Sequence, residues 1–199
     1  ALSGVVREGG ALFVADENWT GHGRSGHLLR SVAEGVTPDL VCLGKGLGGG
    51  LPVSACLGRE SVMAAWRRDP EVVHTSTFAG APLACATAIT TLDVLIRERL
   101  VARSAEVGAR FTPALRAALG PATGVVDVRG AGLMIGIDLG PRPGAATLAA
   151  RALLERGYVV STGGGGREVI VLTPALNVAE TQLTAFLAAV ADVLQRPSA

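Results

Sequence analysis

Of the eighteen basic residues in this chain, seventeen are arginine and one, Lys45, is lysine. It sits in CLGKGLGGG, Cys42 to Gly50, among glycines. Where only positive charge is needed, arginine serves. Lysine adds a primary amine that can lose its proton, attack a carbonyl and form an imine. The other reading of Lys45 is a surface cation that escaped replacement, and its neighbours have to decide.

Three glycine-motif chemistries compete for this stretch. A phosphate-binding P-loop needs glycine five positions before the Gly-Lys pair and a hydroxyl residue after it; Asp39 and Gly46 hold those places, so that reading fails. Gly44, Gly46 and Gly49 satisfy G-x-G-x-x-G, but GGLPVSACLG follows, where a dinucleotide site needs a helix. The third is a lysine imine with pyridoxal phosphate, a cofactor that also needs an acid at its ring nitrogen and donors for its phosphate. Asp16 is the candidate acid. Alone it reads as an ordinary loop-starting carboxylate.

Two strands must position this pair. ALFVAD (Ala11–Asp16) and PDLVCL (Pro38–Leu43) are short apolar runs bounded by turn residues, the pattern of buried parallel strands. If both lie in one parallel sheet, Asp16 and Lys45 project at its carboxyl edge, where α/β sheets bind ligands. Further elements are expected as follows: a strand over Val53–Gly58, a short helix near Ser61–Arg67, a long helix from Pro82 and another over Val101–Leu119. VVDVRGAGLMIGIDL predicts two strands around a tight bend, then come a helix to Arg156, strands in YVVS and REVIVLTP, and a helix over Ala179–Leu194. The opening ALSGVVREGG reads as the tail of a helix running into a loop. The expected division is an α/β part, residues 1–105, and a smaller α+β part, residues 106–199.

Composition removes other classes. With 49% hydrophobic and 18% charged residues the chain is not disordered, and a formal net charge of +1 with 4% aromatics opposes nucleic-acid binding. No run of roughly 18 apolar residues suggests a membrane span. Cys42, Cys56 and Cys85 lack any CxxC spacing and sit in apolar runs, so they read as buried free thiols of a reducing, cytoplasmic compartment. His22, His27 and His74 share no ligand spacing with them, and no metal is expected.

At this point VADENWTGHGRSG, PDLVCLGKGLGGGLPVSA, HTSTFAGAPLACATA and VRGAGLMIGIDL are, in order, similar to the successive signatures of class III aminotransferases. The resemblance runs over nearly the whole chain. It implies an α/β fold of the fold-type I pyridoxal-phosphate transferases: the C-terminal part of the large domain, a mainly parallel sheet with helices, plus a small α+β domain. It implies pyridoxal 5′-phosphate as cofactor and Lys45 as the Schiff-base lysine that later carries a proton. Asp16 would keep the ring nitrogen protonated. Thr77 would reach the cofactor phosphate of the neighbouring subunit, with the Ser76 backbone nearby; without the family, Thr77 reads as a helix cap before Pro82.

The chain departs from the family's pattern in three places. Asn18 and Trp19 stand where a valine packs on the ring and a glutamine helps hold its oxygen; Trp19 offers an indole N–H but is far larger. Val171 falls where many members have an arginine that grips the substrate carboxylate, which disfavours a simple α-amino acid held that way. Ala79-Gly80-Ala81 replaces Gly-Gly-Asn. The N-terminal half of the family, with its phosphate loop, has no counterpart here, so the expectation is one half of a split enzyme, or a fragment. It would act in a two-fold assembly with a polypeptide supplying the other half, on a small-molecule amino donor and a carbonyl acceptor. A non-catalytic scaffold subunit, and an isomerase or aminomutase, are the alternatives.

Overall fold

The computed structural model describes residues 2–67 and 76–195; the expectation about His74 lies outside them. It comprises two compact units. The first holds the chain to His22 and His27–Arg99; the second holds Gly23–Gly26 and the chain from Leu100 onward.

In the first unit, helix α1 (Leu2–Glu8) leads to strand β1 (Val14–Asp16), helix α2 (Arg30–Ala33) and strand β2 (Leu40–Leu43). Strand β3 (Ala55–Gly58), helix α3 (Glu60–Met63) with a 3-10 turn, and helix α4 (Pro82–Arg97) follow. The sheet order is β1-β2-β3, with β1 parallel and β3 antiparallel to β2. The hands of these pairings follow from the connections. Residues 17–39 are long enough for the crossover a parallel pair requires, whereas residues 44–54 fall short of the dozen or so needed. Asp39, buried, ties all three strands: its carboxylate accepts the Phe13 amide at 2.8 Å, its carbonyl accepts the Arg59 amide at 3.1 Å, and it pairs with the Arg59 guanidinium at 3.4 Å. Its apolar-run flanks therefore carry a buried acid that is fully partnered.

Burial is shallower than the apolar runs suggest. Of β1 only Ala15 is buried, and every residue of β3 is exposed. The expectation of three buried thiols is corrected accordingly: Cys56 is exposed, and Cys42 and Cys85 are half-buried. An apolar run marks a strand, but a strand at the edge of a sheet keeps its surface.

The second unit contains helix α5 (Leu100–Leu119), strands β4 (Asp127–Ala131) and β5 (Met134–Asp138), and helix α6 (Ala145–Leu154). Strands β6 (Ser161–Gly163) and β7 (Val169–Leu172) and helix α7 (Glu180–Gln195) complete it. Its sheet is antiparallel throughout, ordered β4-β5-β7-β6. Alternation places Ile135 and Ile137 of β5 and Ile170 and Leu172 of β7 inward, against Phe111, Leu115 and Leu119 of α5, Leu153 of α6 and Val190 of α7. The strand expected at YVVS begins only at Ser161. Tyr158 gives its amide to Leu153 O at the end of α6, and its ring meets Phe186 edge-on at 5.3 Å. Its backbone closes a helix instead of a ladder.

Candidate active site

Parallel pairing of β1 and β2 sets Asp16 opposite Cys42, so the two strands finish side by side. The Glu17 amide extends that pairing by donating to Cys42 O at 2.9 Å. Past β2 the chain turns at Gly44 into a 3-10 turn, Lys45–Gly48. Lys45 heads it with φ 44°, one of four left-handed non-glycine residues among those described. Such a backbone costs on the order of 1–3 kcal/mol and persists where its surroundings enforce it. Two glycines beside Lys45 are also closely packed. A Cβ on Gly44 would lie 2.5 Å from Asn18 Oδ1, and Gly49, at φ 57°, approaches so near α4 that a Cβ would lie 2.6 Å from Thr91 Oγ1.

The structure brings together Asp16, Trp19 and Lys45. The amine Nζ lies over the Trp19 ring, 5.0 Å from its centroid, and among the described residues it makes no ion pair. Asp16 Oδ1 accepts both the backbone amide of Asn18 at 3.0 Å and its side-chain amide at 2.8 Å. Asn18, expected as a departure at the ring face, is thus engaged with the acid. Both Asp16 and Lys45 remain exposed.

Beneath Asp16 sits a group that sequence reasoning missed. Glu17 is buried, and its carboxylate accepts the Ser31 amide at 2.6 Å and the Thr20 hydroxyl. Burial pushes this carboxyl up, but the Ser31 amide and the Thr20 hydroxyl outweigh it and hold it below the usual range. His22 is buried nearby, with φ 56° and no partner for Nε2 among the described residues. Burial lowers its pKa, and the Glu17 charge only partly opposes this. The signal in the sequence was an acid placed directly after a strand-ending acid, too common a pattern to single out.

Ser76 and Thr77 lie in an exposed turn before α4, closed by the Ala79 amide on Ser76 O at 3.0 Å. The helix-cap reading of Thr77 is corrected: the cap of α4 is Ala81, without a side-chain bond. Val171 lies in β7 between Gly136 and Ser161. A cavity of about 550 Å³ occurs in the second unit, lined by Phe111, Arg156, Tyr158, Leu172, Gln182 and Phe186 among others. It holds neither Asp16 nor Lys45. Among the described residues no cluster could hold a metal ion.

Asp16 thus ends β1, and Lys45 follows the end of the neighbouring parallel strand β2 by two residues. The fold is that of the fold-type I pyridoxal-phosphate transferases. The family model described as aminotransferase class-III matches residues 1–194, and the chain belongs to that family, whose members are pyridoxal-phosphate-dependent enzymes. The chain is 37% identical over 181 residues to the acetylornithine aminotransferase of Methanothermobacter thermautotrophicus, covering 91% of this chain and 44% of that protein. With the acetylornithine aminotransferase of Mycobacterium tuberculosis it shares 39% over 198 residues, 98% of this chain and 47% of the relative. The structure of acetylornithine aminotransferase from Elizabethkingia anophelis superposes with a TM-score of 0.85 at 34% identity, covering 96% of this chain and 47% of that one. A Bacillus anthracis aminotransferase gives a TM-score of 0.92 at 26% identity, covering 98% and 47%. The chain thus spans about half the length of the relatives it matches.

Proposed function

We propose that this chain carries the amine-bearing half of a pyridoxal-phosphate-dependent aminotransferase site. One observation carries the reading: the chain's only lysine and Asp16 stand at the carboxyl ends of two strands paired in parallel, Asp16 against Cys42. The residues fit the cofactor. An exposed amine that makes no ion pair among the described residues is available to a carbonyl, and an exposed carboxylate two residues from Asn18 is available to a ring N–H.

Pyridoxal phosphate, when bound, supplies an electron sink for the negative charge left at a substrate carbon that loses its proton. Lys45 would hold the cofactor through Nζ and, as a neutral amine, would take and return that proton as a general base. Asp16 accepts the ring N–H and keeps its proton in place, while Asn18 fixes the orientation of Oδ1. Trp19 walls the amine on one side. Ser76 and Thr77 serve the phosphate held by a neighbouring protomer. The first compact unit is the large-domain part and the second the small domain, with the boundary between Arg99 and Leu100 rather than at 105–106, because helix α5 (Leu100–Leu119) lies whole in the second unit.

The family's N-terminal half, on a separate polypeptide or on the same one, completes the site in a two-fold, cytoplasmic assembly. Uncovered apolar side chains of the first unit support this: Val14, Leu57 and Phe78 are 52%, 53% and 80% exposed. The substrate is an amine or an amino compound not gripped at its α-carboxylate, because Val171 cannot pair with one.

The test is reductive trapping. The purified protein, in the assembly in which it is isolated, is loaded with pyridoxal phosphate, passed through a desalting column, reduced with borohydride and mapped by mass spectrometry. One pyridoxyl group on Lys45 is expected, and none on Lys45→Arg with unchanged circular dichroism. Trapping at the N-terminus alone, or nowhere, sinks the assignment.

A further inference from the structure

Cys42 of β2 and Cys56 of β3 face each other as direct partners in the antiparallel ladder. The kind of pair they form follows from one hydrogen bond. The Cys42 carbonyl points towards β1, where it accepts the Glu17 amide at 2.9 Å. A strand residue directs its N–H and C=O to the same side, so Cys42 exchanges no backbone bonds with Cys56. The pair is of the non-hydrogen-bonded kind, in which the Cα atoms stand about 4.5 Å apart and the side chains are closest. That spacing lies inside the roughly 4.4–6.8 Å window of a disulfide.

Both thiols are free, with Cys56 exposed and Cys42 half-buried. Burial, and after it the neighbouring Cys56, with which it shares a side-chain hydrogen bond, raise the Cys42 pKa. Cys42 therefore waits as a thiol, and the accessible Cys56 meets a reagent first. The third cysteine, Cys85, lies on α4 and is not part of the pair.

We propose that Cys42 and Cys56 are a redox-active dithiol that closes to a cross-strand disulfide when it meets a low-molecular-weight disulfide. The Cys56 thiolate attacks one sulfur of the oxidant, forms a mixed disulfide and expels the other half, which leaves as a thiol after protonation. Cys42, its proton passed to solvent, then attacks Cys56 Sγ and expels the second half. The protein loses two electrons and two protons, and one small disulfide becomes two thiols. The bond ties β2, which pairs with Asp16 at Cys42 and reaches Lys45 three residues later, to the outer strand β3. None of this rests on the cofactor reading.

The experiment counts thiols. The purified protein, in its isolated assembly, is incubated under native conditions with a graded series of oxidised glutathione, alkylated and mapped by mass spectrometry. The expected product is lighter by about 2 Da before alkylation and carries a Cys42–Cys56 link, with Cys85 alkylated, and dithiothreitol restores both thiols. Cys85→Ser should give the same link, and Cys56→Ser should leave Cys42 alkylated. Glutathione retained on Cys56, a bond to Cys85, or Cys42 and Cys56 alkylated across the whole series overturns the proposal.

Discussion

The Nζ of Lys45 stands 5.0 Å from the centre of the Trp19 indole, so the one lysine of the chain is covered on one side by an aromatic face. With Trp19 43% exposed, the contact belongs with the weaker cation–π pairs, about 0.5–1 kcal/mol.

That proximity gives an optical readout. Pyridoxal phosphate attached at Lys45 should quench the emission of Trp19, and Trp19→Phe should abolish this response while leaving the Trp66 signal. Cofactor retention in Trp19→Ala should weaken no more than about fivefold, matching a contact of at most about 1 kcal/mol. Quenching that survives Trp19→Phe undiminished would place the cofactor elsewhere.

In the second unit, a Cβ on Gly108 of α5 would lie 2.1 Å from the carbonyl oxygen of Gly132, in the bend between β4 and β5. The obstacle is backbone and cannot swing aside. Gly108→Ala should destabilise by about 3 kcal/mol, read as a lower urea midpoint. Gly165→Ala, where a Cβ meets nothing within 4 Å, should stay within about 0.5 kcal/mol of the parent. Equal midpoints for the two variants would contradict the contact.

Acid should weaken the first unit in two steps. His22 is buried and its pKa is lowered, so the folded state resists a proton that the unfolded chain takes up. Its contribution is complete above the ordinary histidine value, about 6.5, and is lost as pH falls below it. Glu17 behaves alike at lower pH: its depressed carboxyl contributes above about 4.5 and loses that contribution as pH falls towards its folded value. Stability followed by denaturant titration from pH 8 to pH 5 should fall, and His22→Asn, which tolerates the left-handed backbone, should flatten the slope. An unchanged slope in His22→Asn would show that another group titrates.

The candidate site could be read in the sequence where its chemistry is rare and not where it is common. A single lysine against seventeen arginines is a signal no packing argument supplies, and the strand-then-acid pattern of ALFVAD led to Asp16. Glu17 and the Cys42–Cys56 pairing were not legible, because burial of an acid and the register of two strands depend on partners distant in the chain. Helices α5 and α7 fall within a residue of the stretches expected to form them, and α4 begins at Pro82 as expected. The start of β6 was not where it was expected, since Tyr158 and Val160 are as apolar as strand residues and pack against the core without joining the ladder.

Residues Gly23–Gly26 belong to the second unit, although the chain on both sides of them belongs to the first. There Leu133 gives its amide to Arg24 O at 3.0 Å, and Arg24 Nη1 returns a bond to Leu133 O at 3.1 Å, across 109 positions of sequence. The β4–β5 bend is thus completed by a segment synthesised before the bend itself exists. Closing so long a loop is an entropic toll that grows only logarithmically with length but must be met before the contact rewards it. The spatial division of this protein is therefore not a division of its sequence, and a cut between Arg99 and Leu100 would leave the second piece without the residues that finish its hairpin.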